Sequence, residues 1–232
     1  RGVLKEAWRL GLMEAELYHH ASALENVAWS TPPRGRVLSE DEIRALFDTC
    51  SWDTTPAGAR DAALLTVLYS AGLRRSEAAA LDVRDYDASD RSLIVRGTTS
   101  GRERTLYAVD SAATTIEEWM RVRGPAPGPL FVPIDKAGKI LIRGERMREQ
   151  SVYQALIKRA GQAGLRAFSC QDLRRTFITR LLESGADIST VQRLAGHCSV
   201  ITTQRYDRRI EIARRERGSM LPVPEHSAPR SG

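Results

Sequence analysis

Apolar positions recur with a helical period over most of this chain. Val3, Leu4, Ala7, Trp8, Leu10, Leu12 and Leu17 give residues 1–29 an apolar helical stripe, too short to bury a core of its own. Residues 30–36, STPPRGR, interrupt it with paired prolines and read as a linker. Ser39 with Glu42 three places later has the capping-box pattern, and EIRALFDTC supplies the helix that follows. The more apolar RDAALLTVLYSAG predicts a longer helix from Arg60 to a stop at Gly72. The next residues, LRRSEAAALDVRDYD, start another helix almost at once, which sets Arg74 in a tight junction.

The period then changes. Leu93, Val95, Thr105, Tyr107 and Val109 alternate around Gly97 and Gly101, which predicts a β-hairpin with a polar loop. A helix over 111–123 centres on Ile116, Trp119 and Met120. RGPAPGPLFVP breaks regular structure, with Leu130–Val132 a short buried strand at most, and residues 134–144 read as loop. Residues 151–163 are amphipathic, with Val152, Leu156 and Ile157 inward and Lys158 and Arg159 outward. Such a basic helix suits either a DNA groove or an ordinary solvated face.

The stretch from Ser169 to Arg209 reads as three short helices. Ser169 and Asp172 form a capping pattern, Leu173, Phe177, Leu181 and Leu182 follow at helical spacing, and Gly185 offers a stop. A second helix runs from Ser189 to Gly196, and a third starts near Ser199 and carries Tyr206. After Tyr206, DRRIEIARRERGSM is a charged helix with few apolar positions, and residues 219–232 form a Pro- and Ser-rich tail expected to be disordered.

Charge adds a direction. The net charge is +6, and only four of the 35 cations are lysines. Arginine's planar fork suits phosphate, although Arg-rich solvated faces have the same composition. Cys50, Cys170 and Cys198 form no CxxC pair and the histidines are scattered, so neither a disulfide framework nor a metal site is indicated. No apolar run reaches membrane-spanning length, and a soluble, intracellular protein is expected. Arg174, His197 and Tyr206 are the side chains that suit phosphodiester chemistry: a guanidinium binds non-bridging oxygens and a phenol can serve as nucleophile. Each alone also has a plain structural explanation, as a surface charge, a helix cap or a core-rim phenol.

GLRRSE, LRRTF, the LAGH turn and TTQRYD together resemble the tyrosine recombinase (phage integrase) family. The resemblance implies an α+β, mainly α-helical catalytic fold with a small antiparallel sheet, over about residues 35–215. Residues 1–29 would be the last helices of a truncated core-binding domain, 30–36 the linker and 37–218 the catalytic domain. It implies catalytic roles for Arg74, Arg174, His197 and Tyr206, with Glu77 and Asp172 supporting them. Tyr206 would form a 3′-phosphotyrosine link to DNA, with no cofactor and no metal. The partner would be double-stranded DNA, contacted by Arg102, Arg104, Arg143, Arg148, Lys158 and Arg159. A homo-oligomer, a tetramer on DNA assembled through the segment after Tyr206, in the bacterial cytoplasm, completes the expectation.

Two positions depart from the family. A glutamine, Gln171, stands where the family has a histidine three residues before its second arginine, and the hairpin loop around Thr98 lacks the family's lysine. Glutamine cannot shuttle a proton near neutral pH. The alternative reading is therefore a catalytically impaired DNA-binding protein of the same fold, and a topoisomerase-like nicking and closing enzyme shares the chemistry.

Overall fold

The computed structural model describes residues 2–23, 35–97, 103–142 and 145–207. The chain falls into two compact units that divide between Pro33 and Arg34. In the first, α1 (Gly2–Arg9) and α2 (Ala15–Ala23) pair, with Trp8 stacked on Tyr18 at 5.1 Å between ring centroids. No helix of the described residues is long and apolar enough to cross a membrane.

The second unit is mainly helical. α3 (Glu40–Ser51) starts at the expected capping box: Ser39 Oγ accepts the Glu42 N–H, and Glu42 accepts the Ser39 N–H. α4 (Pro56–Tyr69) is apolar nearly all round, and Ala63, Leu64, Leu65, Val67 and Leu68 are at most 1% exposed. It forms the centre of the core, with α3, α6 (Asp110–Arg123) and α8 (Cys170–Glu183) packed around it. Burial of each of these leucines and of Val67 contributes roughly 1.5–3 kcal/mol. α4 begins four residues before the expected Arg60, because Pro56 needs no N–H partner in the first turn.

α5 (Arg75–Ala80) is short, and a single 3₁₀ turn (Val83–Asp85) leads into β1 (Tyr86–Asp87). β1, β2 (Ser92–Val95) and β3 (Arg104–Tyr107) form an antiparallel sheet in that order. The hairpin is present, but the phase expected for β3 is wrong by one residue. Leu93 lies opposite Leu106, and Val95 opposite Arg104. Partners across an antiparallel pair share a face, so Leu106 and Arg104 turn inward while Tyr107 stands 71% exposed.

Leu130, Phe131 and Val132 are fully buried, though not as a strand. Their backbone groups are satisfied piecemeal, the Leu130 N–H by the Leu81 carbonyl and the Leu130 carbonyl by Trp119 Nε1. α7 (Glu149–Gln162) places Val152 and Leu156 inward and leaves Lys158 exposed, as expected. Arg159 corrects the expectation of an outward, DNA-facing side chain. It is 0% exposed, donating to Asp61 and Asp53 at 2.9 and 2.7 Å and to the Thr49 carbonyl at 3.2 Å. A buried guanidinium is tolerable only when its donors are matched in this way. Positions 152, 156 and 159 lie on one helical stripe, a spacing that gave the inward direction away.

Candidate active site

The last part of the unit is α8, α9 (Ile188–Ala195) and α10 (Val200–Gln204). α8 starts at Ser169, whose N–H and Oγ–H both donate to Asp172 at 2.9 Å. α9 is capped by Asp187, two residues before the expected start, and closes on Gly196 in the left-handed conformation, φ +64°. The His197 N–H then returns to the Gln192 carbonyl at 3.0 Å. α10 is capped by Ser199, and Tyr206 lies just beyond its end.

Three arginines grip the end of α9. Arg104 Nε donates to the Leu194 carbonyl at 2.9 Å, Arg174 Nη2 to the Ala195 carbonyl, and Arg74 Nη2 to the Gly196 carbonyl at 3.1 Å. The last carbonyls of a helix lack intrahelical partners and carry the negative end of its dipole, so cations gather there. Gly196 is required on two counts: its φ, and the Arg104 guanidinium, whose Nη1 would lie 2.8 Å from a Cβ.

Glu77 ties two of these arginines together. It is 1% exposed. Arg104 Nη1 and Nη2 reach its two carboxylate oxygens at 3.1 and 2.9 Å, and Arg74 Nη1 donates at 2.9 Å. Glu77 also accepts the Arg74 N–H at 2.8 Å, fixing the first turn of α5. Burial raises its pKa, yet the bonds from Arg104 and Arg74 hold the carboxyl below the usual range. Arg104 corrects the expectation of a solvated or phosphate-facing loop cation. Its side chain is 10% exposed and braces Glu77 from β3; the one-residue phase of that strand is what sends it inward.

Arg174 is 3% exposed and also donates to the Gly72 carbonyl at 2.6 Å. Gly72, φ +59°, comes so close to α8 that a Cβ would meet the Phe177 ring at 2.3 Å. Burial first, and the Arg74 charge second, lower the Arg174 pKa to about 10, so it stays charged at neutral pH. His197 is 8% exposed, with Nδ1 at 2.8 Å from the Thr203 hydroxyl. Burial, then the charges of Arg174, Arg74 and Arg104, push its pKa down to about 4. The imidazole is therefore neutral at pH 7.

The Tyr206 ring lies nearly parallel to that of His197, 6.2 Å between centroids, with Arg175 over it. Gln171 is exposed on the first turn of α8 and lines a cleft with Arg74, Arg75 and Glu149. The protein thus brings Arg74, Glu77, Arg174, His197 and Tyr206 to one place, with Gln171 at its rim and Asp172 behind. Lys158 is exposed on α7 and Arg148 at its N-cap, away from these bonds. Arg102, Arg143, the loop around Thr98 and the segment from 208 onward lie outside the described residues. Sequence reasoning missed the Thr203 hydroxyl, the Arg104 brace and the three carbonyls. Only the LAGH glycine signalled them, as a helix stop followed by a turn.

A mainly helical unit that gathers arginines, a histidine and a tyrosine around the end of one helix has the architecture of DNA breaking and rejoining catalytic domains. The phage integrase family profile matches residues 36–211, and the chain belongs to that family, the tyrosine recombinases. A tyrosine recombinase XerD from Mycobacterium leprae (strain TN) is 38% identical over a 179-residue alignment that covers 73% of this chain and 55% of that protein. A tyrosine recombinase XerC from Pelobacter propionicus is 36% identical over 183 residues, 75% of this chain and 57% of its own length. The chain thus spans little more than half the length of these relatives. The crystal structure of XerA recombinase is 26% identical, covers 87% of this chain and 72% of its own, and superposes with a TM-score of 0.62. XerH recombinase in its post-cleavage complex with difH substrate, 21% identical over 82% of this chain and 54% of its own, has the same fold at a TM-score of 0.62.

Proposed function

We propose that the chain is the catalytic part of a site-specific DNA recombinase that cuts and rejoins strands through Tyr206. The observation that carries this reading is the convergence of two guanidinium groups, Arg74 and Arg174, with a neutral imidazole and a phenol. Both arginines bind carbonyls that hold them in place, and a guanidinium has five N–H donors. Those left over bind the non-bridging oxygens of the scissile phosphate. Donors fixed in advance need no reorganisation as charge develops on those oxygens. Nδ1 is paired with the Thr203 hydroxyl, and in the tautomer whose Nδ1 accepts from it, the His197 Nε2–H is the further donor to the phosphate.

Tyr206 Oη bonds to phosphorus while the bond to the 5′ oxygen breaks. The phenol gives up its proton and the 5′ oxygen takes one. The product is a 3′-phosphotyrosyl link, which a 5′ hydroxyl from another strand reverses. The partner is double-stranded DNA, with Arg148 and Lys158 as exposed contacts to its backbone. Copies of the chain assemble on it through the segment after Tyr206. The catalytic unit has an apolar groove lined by Val67, Ala71, Leu106, Ile116, Phe177 and Leu181. The domain arrangement follows: the end of a core-binding domain over 1–29 and the catalytic domain over 37–218.

A pool of nicked duplexes of randomised sequence tests the reading, because a nick lets the cleaved strand end diffuse away and traps the adduct. The chain is expected to retain labelled DNA on a denaturing gel, and Tyr206→Phe to retain none. Arg74→Lys should lower the yield by on the order of 10²–10³. Protected DNA without an adduct would favour the module that binds without cutting, which has no support in the comparisons.

A further inference from the structure

Arg175 follows Arg174 on α8 but takes no part in the phosphate-binding set. Its guanidinium carbon lies over the Tyr206 ring, 5.2 Å from the centroid, within the range at which a cation is drawn to an aromatic face. The side chain is only 12% exposed, and Asp172, one turn earlier, faces its Nε at 3.9 Å. Asp172 is itself fixed. One carboxylate oxygen accepts both Ser169 donors, and the other accepts the Arg36 N–H at 2.8 Å. Gly35 completes the arrangement. At φ +126° it is a glycine conformation, and a Cβ there would lie 2.2 Å from Asp172 Oδ1 and 3.3 Å from Arg175 Nε. A line of contacts therefore runs from the backbone at 35–36 through Asp172 and Arg175 to the phenol.

We propose that Arg175 is the positioning residue for the Tyr206 phenol, oriented by Asp172 and by the backbone that enters the catalytic unit at Gly35–Arg36. This rests on the reading of Tyr206 as nucleophile. Tyr206 stands past the end of a short helix, with its ring between the His197 imidazole, the Arg175 guanidinium and the apolar cluster of Ile178, Leu182, Val191 and Ala195. A cation over the ring selects one ring orientation. Its attraction grows as the phenol gives up its proton and negative charge enters the ring, so the contact favours the attacking form over the resting phenol. The same line of contacts makes the attitude of the nucleophile depend on how the chain enters at residue 35.

The test has two arms. In the first, without DNA, the chain carries ring-¹³C tyrosine and the Tyr206 resonance is assigned by its loss in Tyr206→Phe. Arg175→Gln is expected to move that resonance, and Gly35→Ala to move it too, whereas Arg175→Lys leaves it close to its original position. A Tyr206 resonance untouched by Arg175→Gln overturns the proposal. In the second arm, adduct formation is followed in a single turnover at saturating nicked duplex recovered from the randomised pool. Arg175→Gln is expected to slow the step by about tenfold to a hundredfold, the cost of a misplaced reacting group, with duplex affinity unchanged and recovery in Arg175→Lys. Asp172→Asn keeps the shape of the side chain and one of its two accepting oxygens while removing the charge that faces Arg175, and should slow the same step. A loss confined to affinity would make Arg175 a phosphate contact and overturn the positioning role. A wild-type chain that yields no adduct overturns the nucleophile reading, and the resonance comparison still decides the contact.

Discussion

His197 carries the clearest consequence at the scale of single residues. Its ordinary pKa is 6.5, and burial among Arg174, Arg74 and Arg104 brings it to about 4 in the folded protein. Between those values the unfolded chain binds a proton that the folded one refuses. Stability therefore rises with pH across that window, and is lost as pH falls from about 6.5 toward 4. Denaturant titrations at pH 7 and pH 5 should show wild type losing more stability than His197→Gln, which has no such group. Equal losses would mean that the imidazole titrates normally. Both the candidacy of His197 and the loss of a titratable group at Gln171 were legible in the sequence, because residue type decides them. The neutrality of His197 was not, because burial, and then the charges of positions 174, 74 and 104, impose it only in the folded chain.

At the scale of elements, α3, α4 and α7 meet over one buried guanidinium. Arg159 from α7 holds Asp61 of α4, Asp53 in the turn between α3 and α4, and the Thr49 carbonyl of α3. Arg159→Met should cost up to about 3–5 kcal/mol in urea unfolding, since buried Asp61 is left with Arg60 alone and Asp53 with its Thr55 donors. Adding Asp53→Asn and Asp61→Asn should return part of that loss. A single variant as stable as wild type would show that the Arg60 and Thr55 bonds satisfy the two carboxylates without Arg159. The helices themselves were readable from period and caps: α3 and α8 start at their capping boxes, and α6 lies within a residue of its expected span. β3 was misread because Thr105 and Tyr107 alternate as convincingly as Arg104 and Leu106. Only the register against β2 chooses between the two faces.

For the whole molecule, the groove between α4, α6, β3 and α8 has a rim that includes Tyr107 and Val109, 71% and 69% exposed. Exposed apolar surface beside a groove is where partner contact is expected. Tyr107→Glu should leave the isolated chain folded, since the ring is already in water. It should reduce the number of copies that assemble on one duplex, measured by sedimentation of the protein–DNA complex. Unchanged assembly would place the contact elsewhere.

The order of helices, the turn glycines and the identity of the reactive side chains were determined by the sequence alone, since these depend on spacing, capping and residue type. The tertiary structure decided which cations do what. Arg104, Arg159 and Arg174 have the same side chain, and all three lie largely out of water. One braces Glu77, one ties three elements together, and one lies at the site beside Tyr206. What separates them is the set of carbonyls and carboxylates that distant segments bring within 3 Å or so, and no local pattern in the chain encodes that.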